Sequence, residues 1–154
     1  MGEFRRGVRL AIDVGRARIG VARCDPDGML AVPVETVARA SGSVARIGDL
    51  VAEYEPIELV VGLPLNMRGE DTPSTDDARR FATELAAALP ETPIRLVDER
   101  LSTVSAHTAL RQSGRSQKKS RGIVDQIAAV VFLQHAVDTE KTTGRAPGTV
   151  LDEE

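Results

Sequence analysis

The sequence predicts an α/β domain built on one mixed β-sheet, and three observations carry that prediction. Residues 8–14, "VRLAIDV", alternate apolar and other side chains with the period of two expected of a strand that has two distinct faces. Two further extended runs follow across a Pro26-Asp27-Gly28 turn, which makes the opening an antiparallel meander. Two segments of helical periodicity then each precede a short apolar strand, the pattern of parallel crossover units whose sheet is covered on both faces.

Taken in order, Val8, Leu10, Ile12 and Val14 form the aliphatic face of strand one, and Arg9, Ala11 and Asp13 form the other. "RIGVARC" and "MLAVPVETV" are strands two and three. After "SGS", Val44, Ile47, Val51 and Tyr54 recur at helical spacing until Pro56 helps to end the helix. "IELVVG" is the fourth strand. The Gly/Pro-rich loop "LPLNMRGEDTPS" leads to a second helix, with Ser74 or Thr75 as N-cap, acidic Asp76 and Asp77 in its first turn, and the stripe Ala78, Phe81, Ala82, Leu85, Ala86 and Leu89. "IRLVD" is the fifth strand. The last quarter predicts a helix over 102–112, a basic loop "SGRSQKKSRG", and a buried helix over 123–137. Residues 1–7 are expected to be a flexible N-terminus, 8–138 the folded domain, and 139–154, which lack periodicity, a disordered tail.

Composition sets limits on function. At 154 residues and 42% hydrophobic, the chain can bury one real core. The apolar segment over 123–133 is interrupted by Asp125 and Gln126 and is too short for a bilayer, and no charged-then-apolar leader opens the chain; a cytoplasmic protein with no membrane partner is expected. The single cysteine, Cys24, has no partner for an internal disulfide or a zinc site. A net charge of −3 argues against coating nucleic acid by bulk electrostatics, yet Arg111, Arg115, Lys118, Lys119 and Arg121 cluster as either a solvated loop or a phosphate-contact surface.

Ligand sites of open α/β sheets lie beyond the carboxyl ends of the strands. Three acids separated widely in sequence could meet there: Asp13 late in strand one, Asp98 or Glu99 after strand five, and Asp125 on the last helix. Converging carboxylates repel unless a cation sits between them, and an all-oxygen set suits magnesium or manganese. A pair of such ions is the machinery of phosphodiester cleavage. Each acid also has a plainer reading: Asp13 as a strand-end turn residue, Asp125 as the cap or first-turn acid of its own helix, Asp98 and Glu99 as partners of Arg100. The Ala128 and Ala129 that follow Asp125 by one turn allow its helix a close approach to a sheet.

"AIDVGRARIGVA", "VVGLPLNMRG", "VDERLSTVSA" and "KKSRGIVDQIAA", in that order, resemble the YqgF/RuvX family of bacterial proteins over residues 8–138. Members are described as Holliday junction resolvases and as nucleases for the precursor of small-subunit ribosomal RNA. The resemblance implies a single ribonuclease H-like domain with a five-stranded mixed sheet, and it implies Asp13, Glu99 and Asp125 as the catalytic, metal-binding carboxylates for Mg²⁺ or Mn²⁺. Asp98 shares the "DER" motif; Glu99 is preferred because its longer arm still reaches the site as the strand ends. Gly15, Arg18, Asn66, Arg68, Arg115, Lys118, Lys119 and Arg121 are the expected nucleic-acid contacts. Gly15 and Gly20 would let a backbone come close, and the loop holding Gly62, Pro64, Asn66 and Arg68 would position a phosphate or sugar.

The expected function is therefore a metal-dependent nuclease acting on structured nucleic acid, foremost in 5′-end processing of small-subunit ribosomal RNA precursor. Junction resolution in DNA recombination is the alternative, and a non-catalytic nucleic-acid-binding module the second alternative. Resolution of a junction calls for two symmetric sites, so a monomer or a homodimer is expected according to the substrate. The one tyrosine, Tyr54, reads as core, so recognition by base stacking is not expected. A nucleotide phosphotransferase, suggested by "IDVG", would need two such domains and a phosphate-cradling loop that this chain lacks.

Overall fold

Period-two alternation divides every long strand between two covering layers, and side-chain size differs sharply between them. The structure, a computed structural model, describes residues 3–99 and 117–151, and of residues 117–125 the backbone alone. Strands β1 (Arg9–Val14), β2 (Arg18–Cys24), β3 (Ala31–Ala38), β4 (Glu58–Leu63), β5 (Ile94–Asp98) and β6 (Thr149–Val150) form one sheet in the order β3-β2-β1-β4-β5-β6. The β1-β2 and β2-β3 pairs are antiparallel, β1-β4 and β4-β5 are parallel, and β6 returns antiparallel to β5. Helices α1 (Ser43–Tyr54) and α2 (Pro73–Ala88) cover one face, and α3 (Gln117–Thr143) crosses the other.

On the α1/α2 face the strands contribute Leu10, Ile12, Val14, Ile19, Val21, Leu59, Val61, Leu63, Ile94 and Leu96 to the larger core. On the α3 face the strand residues are small: Ala11, Ala22, Cys24, Ala31, Val60 and Val97. Ala128, Ala129, Phe132, Leu133 and Val137 of α3 pack down on them. Small against small brings the helix close to the sheet, and Gln134 accepts the Ala31 N–H at 2.8 Å while Gln126 donates to the Thr36 hydroxyl at 2.6 Å. Cys24 is fully buried here, burial pushes its thiol up, and it receives the Arg9 N–H at 3.4 Å, as suits a packing residue.

The structure departs from the sequence expectations at both ends. The sheet has six strands, not five, because part of the expected tail pairs with β5: Arg95 faces Val150 and Leu96 faces Thr149. Helix α3 runs on to Thr143 and stops at Gly144, whose φ of 76° suits a left-handed cap. Gly148, at φ 77°, passes the Leu96 carbonyl so closely that a Cβ would collide with it. A two-residue strand has no periodicity to read; the open edge of β5 creates it. The expected flexible N-terminus is tied down too. Arg5 bonds both Glu58, at 2.9 Å, and Glu140, at 2.7 Å, and Phe4 lies under the Arg9 guanidinium at 4.7 Å.

Two helix starts also differ. The cap of α2 is Thr72, in a capping box with Thr75, not Ser74 or Thr75. Helix α3 begins at Gln117 rather than near 123, so Lys118, Lys119 and Arg121 stand on a helix and not in a loop. Gly122 costs a helix only about 1 kcal/mol, which long helical continuation and packing offset. The helix expected over 102–112 and Arg115 lie outside the described residues.

At the end of the sheet where β1, β4 and β5 begin, charges replace apolar packing under α3. Arg9 is 1% exposed, Glu58 and Glu140 3% each. Arg9 donates to Glu140 at 2.9 Å and to the Gly7 and Arg5 carbonyls at 2.7 Å, while Arg95 donates to Glu58 at 3.1 Å. Burial alone pushes the Glu140 carboxyl up, but hydrogen bonds from Arg5 and the fields of Arg9 and Arg5 outweigh it and hold the group below its ordinary value of 4.5. A carboxylate with a depressed folded-state pKa contributes stability fully above its unfolded value and loses it as pH falls through the folded one. Replacing Glu140 by Gln leaves Arg9 buried without its counter-charge and is expected to cost about 3–5 kcal/mol in urea denaturation at pH 7. The gap between wild type and variant should narrow as pH is lowered beneath about 4.5, and a gap that is constant with pH would show that the charge of Glu140 contributes nothing.

Candidate active site

Asp13 follows Arg9 and Ala11 by even steps, so it belongs to the face of β1 that α3 covers. It is half-buried near the carboxyl end of the strand. Across the antiparallel pair its partner is Gly20 of β2. On the other flank Ile12 is level with Val61 of β4, so the next residue there is Gly62. Asp13 thus stands between two strands that carry no side chain beside it.

Strand β5 directs Arg95 and Val97 to the α3 face and Leu96 to the opposite one. Asp98, in register with Leu63, is exposed and follows the parity of Leu96. Glu99 is the next residue on the α3 face and is 6% exposed; its N–H donates to the Leu63 carbonyl at 3.3 Å. Its Oε2 oxygen is enclosed and occupies the place a Cβ on Gly62 would take. The Phe132 ring of α3 comes to within 2.9 Å of the same point. Gly62, expected where the fourth strand passes into the following loop, lies within β4, where the lack of a side chain admits a carboxylate and an aromatic edge together. A lone glycine inside the apolar run "ELVVGL" is the sequence signal for such close approach.

Asp125 lies eight residues inside α3 and so is no cap of that helix. Its side chain is outside the described residues. The buried positions 129, 132, 136 and 140 recur at steps of three and four, and position 125 is the preceding member of that spacing. Among the described residues no three acidic, histidine or cysteine side chains converge. Asp13, Glu99 and Asp125, if they act together, would offer carboxylate oxygen alone, a donor type that suits magnesium or manganese and not zinc. The notch at Gly62 fits it as well, since it keeps a Cβ out of the space next to the Glu99 carboxylate.

Two rigid connections border this end of the sheet. In the β1-β2 turn the Gly15 N–H donates to the Arg18 carbonyl at 2.8 Å, and that same carbonyl fills the Cβ position of Gly15. The turn itself thus requires the glycine. Arg18 opens β2 opposite Ala38. Arg39, which sequence reasoning missed, holds the turn from outside: its N–H donates to the Ala17 carbonyl at 3.0 Å and its guanidinium to the Gly15 carbonyl at 3.0 Å. In the β4-α2 loop the Asn66 side-chain oxygen Oδ1 accepts the N–H groups of Arg68 and Glu70, each at 2.9 Å, which leaves Met67 and Arg68 exposed. The fully buried Thr75 anchors the loop through its hydroxyl, 2.6 Å from the Pro64 carbonyl.

The notch makes a double-mutant cycle informative. Gly62→Ala overpacks the contact and is expected to lose about 1–3 kcal/mol in urea denaturation. Adding Glu99→Ala removes one of the two groups the new methyl meets, so the pair should be less destabilised than the sum of the single variants, with a coupling of about 0.5–3 kcal/mol. Strict additivity would mean that Glu99 does not lie over Gly62 in solution.

Comparison with known proteins follows the same lines. A family model described as "RuvX: Holliday junction resolvase" matches residues 7–139. A protein of Streptomyces coelicolor named "Putative pre-16S rRNA nuclease" is 56% identical over 147 residues, covering 94% of this chain and 88% of the relative. One of the same name from a Nocardioides species is 53% identical over 155 residues, covering 97% and 99%. Among solved structures, Thermus thermophilus RuvC in complex with a Holliday junction substrate superposes with a TM-score of 0.56 at 17% identity, covering 93% of this chain and 98% of that one. That likeness establishes the ribonuclease H-like fold of RuvC here. No described helix is long and apolar enough to cross a membrane. With the family model spanning five of the six strands and most of α3, and with relatives more than half identical over nearly the whole length, this chain belongs to the RuvX family.

Proposed function

We propose that this protein is a metal-dependent nuclease that hydrolyses phosphodiester bonds of structured nucleic acid, and that its substrate is the 5′ region of the small-subunit ribosomal RNA precursor in the cytoplasm. The observation that carries the reading is the pairing of Asp13 and Glu99 on one sheet face, on either side of the side-chain-free Gly62, at the carboxyl end of the strands. The names of the relatives supply the substrate class.

Asp13, Glu99 and Asp125 would hold Mg²⁺ or Mn²⁺, with Asp98 outside the set. When bound, the ion supplies a water of lowered pKa and charge stabilisation for the phosphate and its leaving oxygen. The chain itself fixes the acids. Asp13 is held by pairing on both sides of β1, and Glu99 by its backbone bond to β4 and its seat on Gly62. Carboxylates set on strands are aimed more accurately than carboxylates set on loops. Arg18, Arg68, Arg115, Lys118, Lys119 and Arg121 would hold phosphates as charges, with Gly15 and Asn66 shaping the turns around them. Contacts of that kind position the substrate without reading its sequence.

Resolution of four-way DNA junctions is the second reading. The description of the matching family favours it. It requires two symmetric sites and hence a homodimer, so sedimentation equilibrium separates it from cleavage by a monomer.

Single-turnover cleavage of matched precursor RNA and junction DNA tests both readings. Asp13→Asn is expected to retain the fold by circular dichroism, to weaken Mg²⁺ or Mn²⁺ binding in calorimetry, and to cleave at under about one hundredth of the wild-type rate, a loss of about 2.7 kcal/mol or more. Glu99→Gln and Asp125→Asn should behave alike and Asp98→Asn should be milder. Undiminished metal binding and cleavage in Asp13→Asn would sink the proposal. For the basic start of α3, replacing Lys118 and Lys119 by Ala should lower the slope of log affinity against log salt by about 1–2 units.

A further inference from the structure

The β1-β2 turn that follows Asp13 also borders a depression on the opposite side of the sheet edge. It is lined by Arg16, Arg39, Pro73, Asp77 and Arg80. Its floor is fixed. Arg39 makes a two-pronged ion pair with Asp77, both contacts 2.9 Å, donates to the Gly15 carbonyl, and stacks on the Phe81 ring with 4.8 Å to the centroid. Its guanidinium is raised chiefly by the hydrogen bond to Asp77, and the Asp77 carboxyl is lowered by the same bond, with Arg80 and Arg16 adding their fields. Arg39 and Asp77 therefore cancel each other. Arg16 and Arg80 are exposed and make no ion pair among the described residues, and although Glu84 also reaches Arg39 with its field, the lining itself sets three arginines against the single carboxylate of Asp77 in a chain whose net charge is −3.

We propose that this depression is a second phosphate track, in which Arg16 and Arg80 hold the sugar-phosphate backbone of a nucleic-acid strand that has passed over the candidate active site. The proposal rests on the nuclease reading and adds the path of the substrate. Arg16 is three residues beyond Asp13, on a turn braced by Arg39, so a strand lying on Asp13 reaches Arg16 with no rearrangement of the protein. Helix α2 presents Arg80 from the face of the sheet that α3 does not cover. The basic start of α3 belongs to the other side. Bare phosphate attraction explains why arginines with no sequence-reading partner suffice. The depression is wide open and polar, which suits a backbone crossing it and not an enclosed small molecule.

The test uses the whole protein and a 5′-fluorescein RNA hairpin with single-stranded flanks on both sides, with anisotropy read between 50 and 200 mM salt in EDTA so that the probe stays whole. For the double variant Arg16→Ala with Arg80→Ala, the slope of log affinity against log salt should fall by about 1.4–1.8 units, and by half as much in each single variant. The corresponding Arg→Lys pair should keep the wild-type slope, since charge alone is required. Melting temperatures should match wild type, both side chains being exposed. A wild-type slope in the Ala pair, or a Lys pair as weak as the Ala pair, overturns the track while leaving the nuclease reading in place. Failure of the wild-type protein to bind this hairpin or a four-way DNA junction overturns both.

Discussion

The depth at which α3 lies on the sheet is the constraint on which the rest of the molecule depends. Strand residues beneath it are alanine, cysteine and valine, and the helix meets them with Ala128 and Ala129. One residue larger at any of these points would lift the helix and with it every group the helix carries, because close-packed interiors transmit strain instead of absorbing it. Phe132 can enter only because Gly62 has no side chain. On the other face, leucine, isoleucine and valine fill the wider space under α1 and α2. Chain alternation thus gives two layers, and residue size makes one of them close enough to build a site between helix and strand.

Charged residues occupy both ends of that close layer, with opposite surroundings. Where β1, β4 and β5 begin, Glu58 and Glu140 are buried among Arg5, Arg9 and Arg95, and each carboxylate is enclosed by donors. A buried network of this kind contributes less through net energy than through the cost of any alternative arrangement, since a wrong register would leave a charge buried alone. It therefore fixes the position of α3 along its own axis. Where those strands end, Asp13 and Glu99 are framed by Gly20 and Gly62. About 22 Å of helix, at 1.5 Å per residue, separates residue 140 from residue 125, so the anchor at one end sets where the helix backbone lies at the other.

The connections around the acids are held with unusual thoroughness for surface segments. Arg39 ties the β1-β2 turn to α2, Asn66 closes the β4-α2 loop on its own backbone, and Thr75 bonds the start of that loop from a buried position. Loops that are satisfied internally lose little entropy when a ligand arrives, which is the economy expected where a large charged substrate must be positioned. Arg39 performs this role by neutralising itself against Asp77. Its neighbours Arg16 and Arg80 keep their charge for the solvent side.

The sequence by itself determined the class of the fold, because period-two and helical periodicities are local and survive without knowledge of what packs against them. It showed the meander, the two crossover units and the isolated acid of β1, and its four ordered motifs showed the family. Local reading failed wherever a partner distant in the chain decides the structure. Thr149 and Val150 are a strand only because β5 has an open edge, and Phe4 and Arg5 are held by Arg9, Glu58 and Glu140, which belong to β1, β4 and α3. Gly122 reads as a helix breaker, yet α3 runs through it. Gly62 reads only as the glycine between strand and loop until the sheet register sets it beside Asp13 and beneath Glu99. Which side of the sheet each of Asp98 and Glu99 takes was a matter of strand parity, and parity acquires a meaning only when a helix covers one face, which the tertiary structure alone supplies.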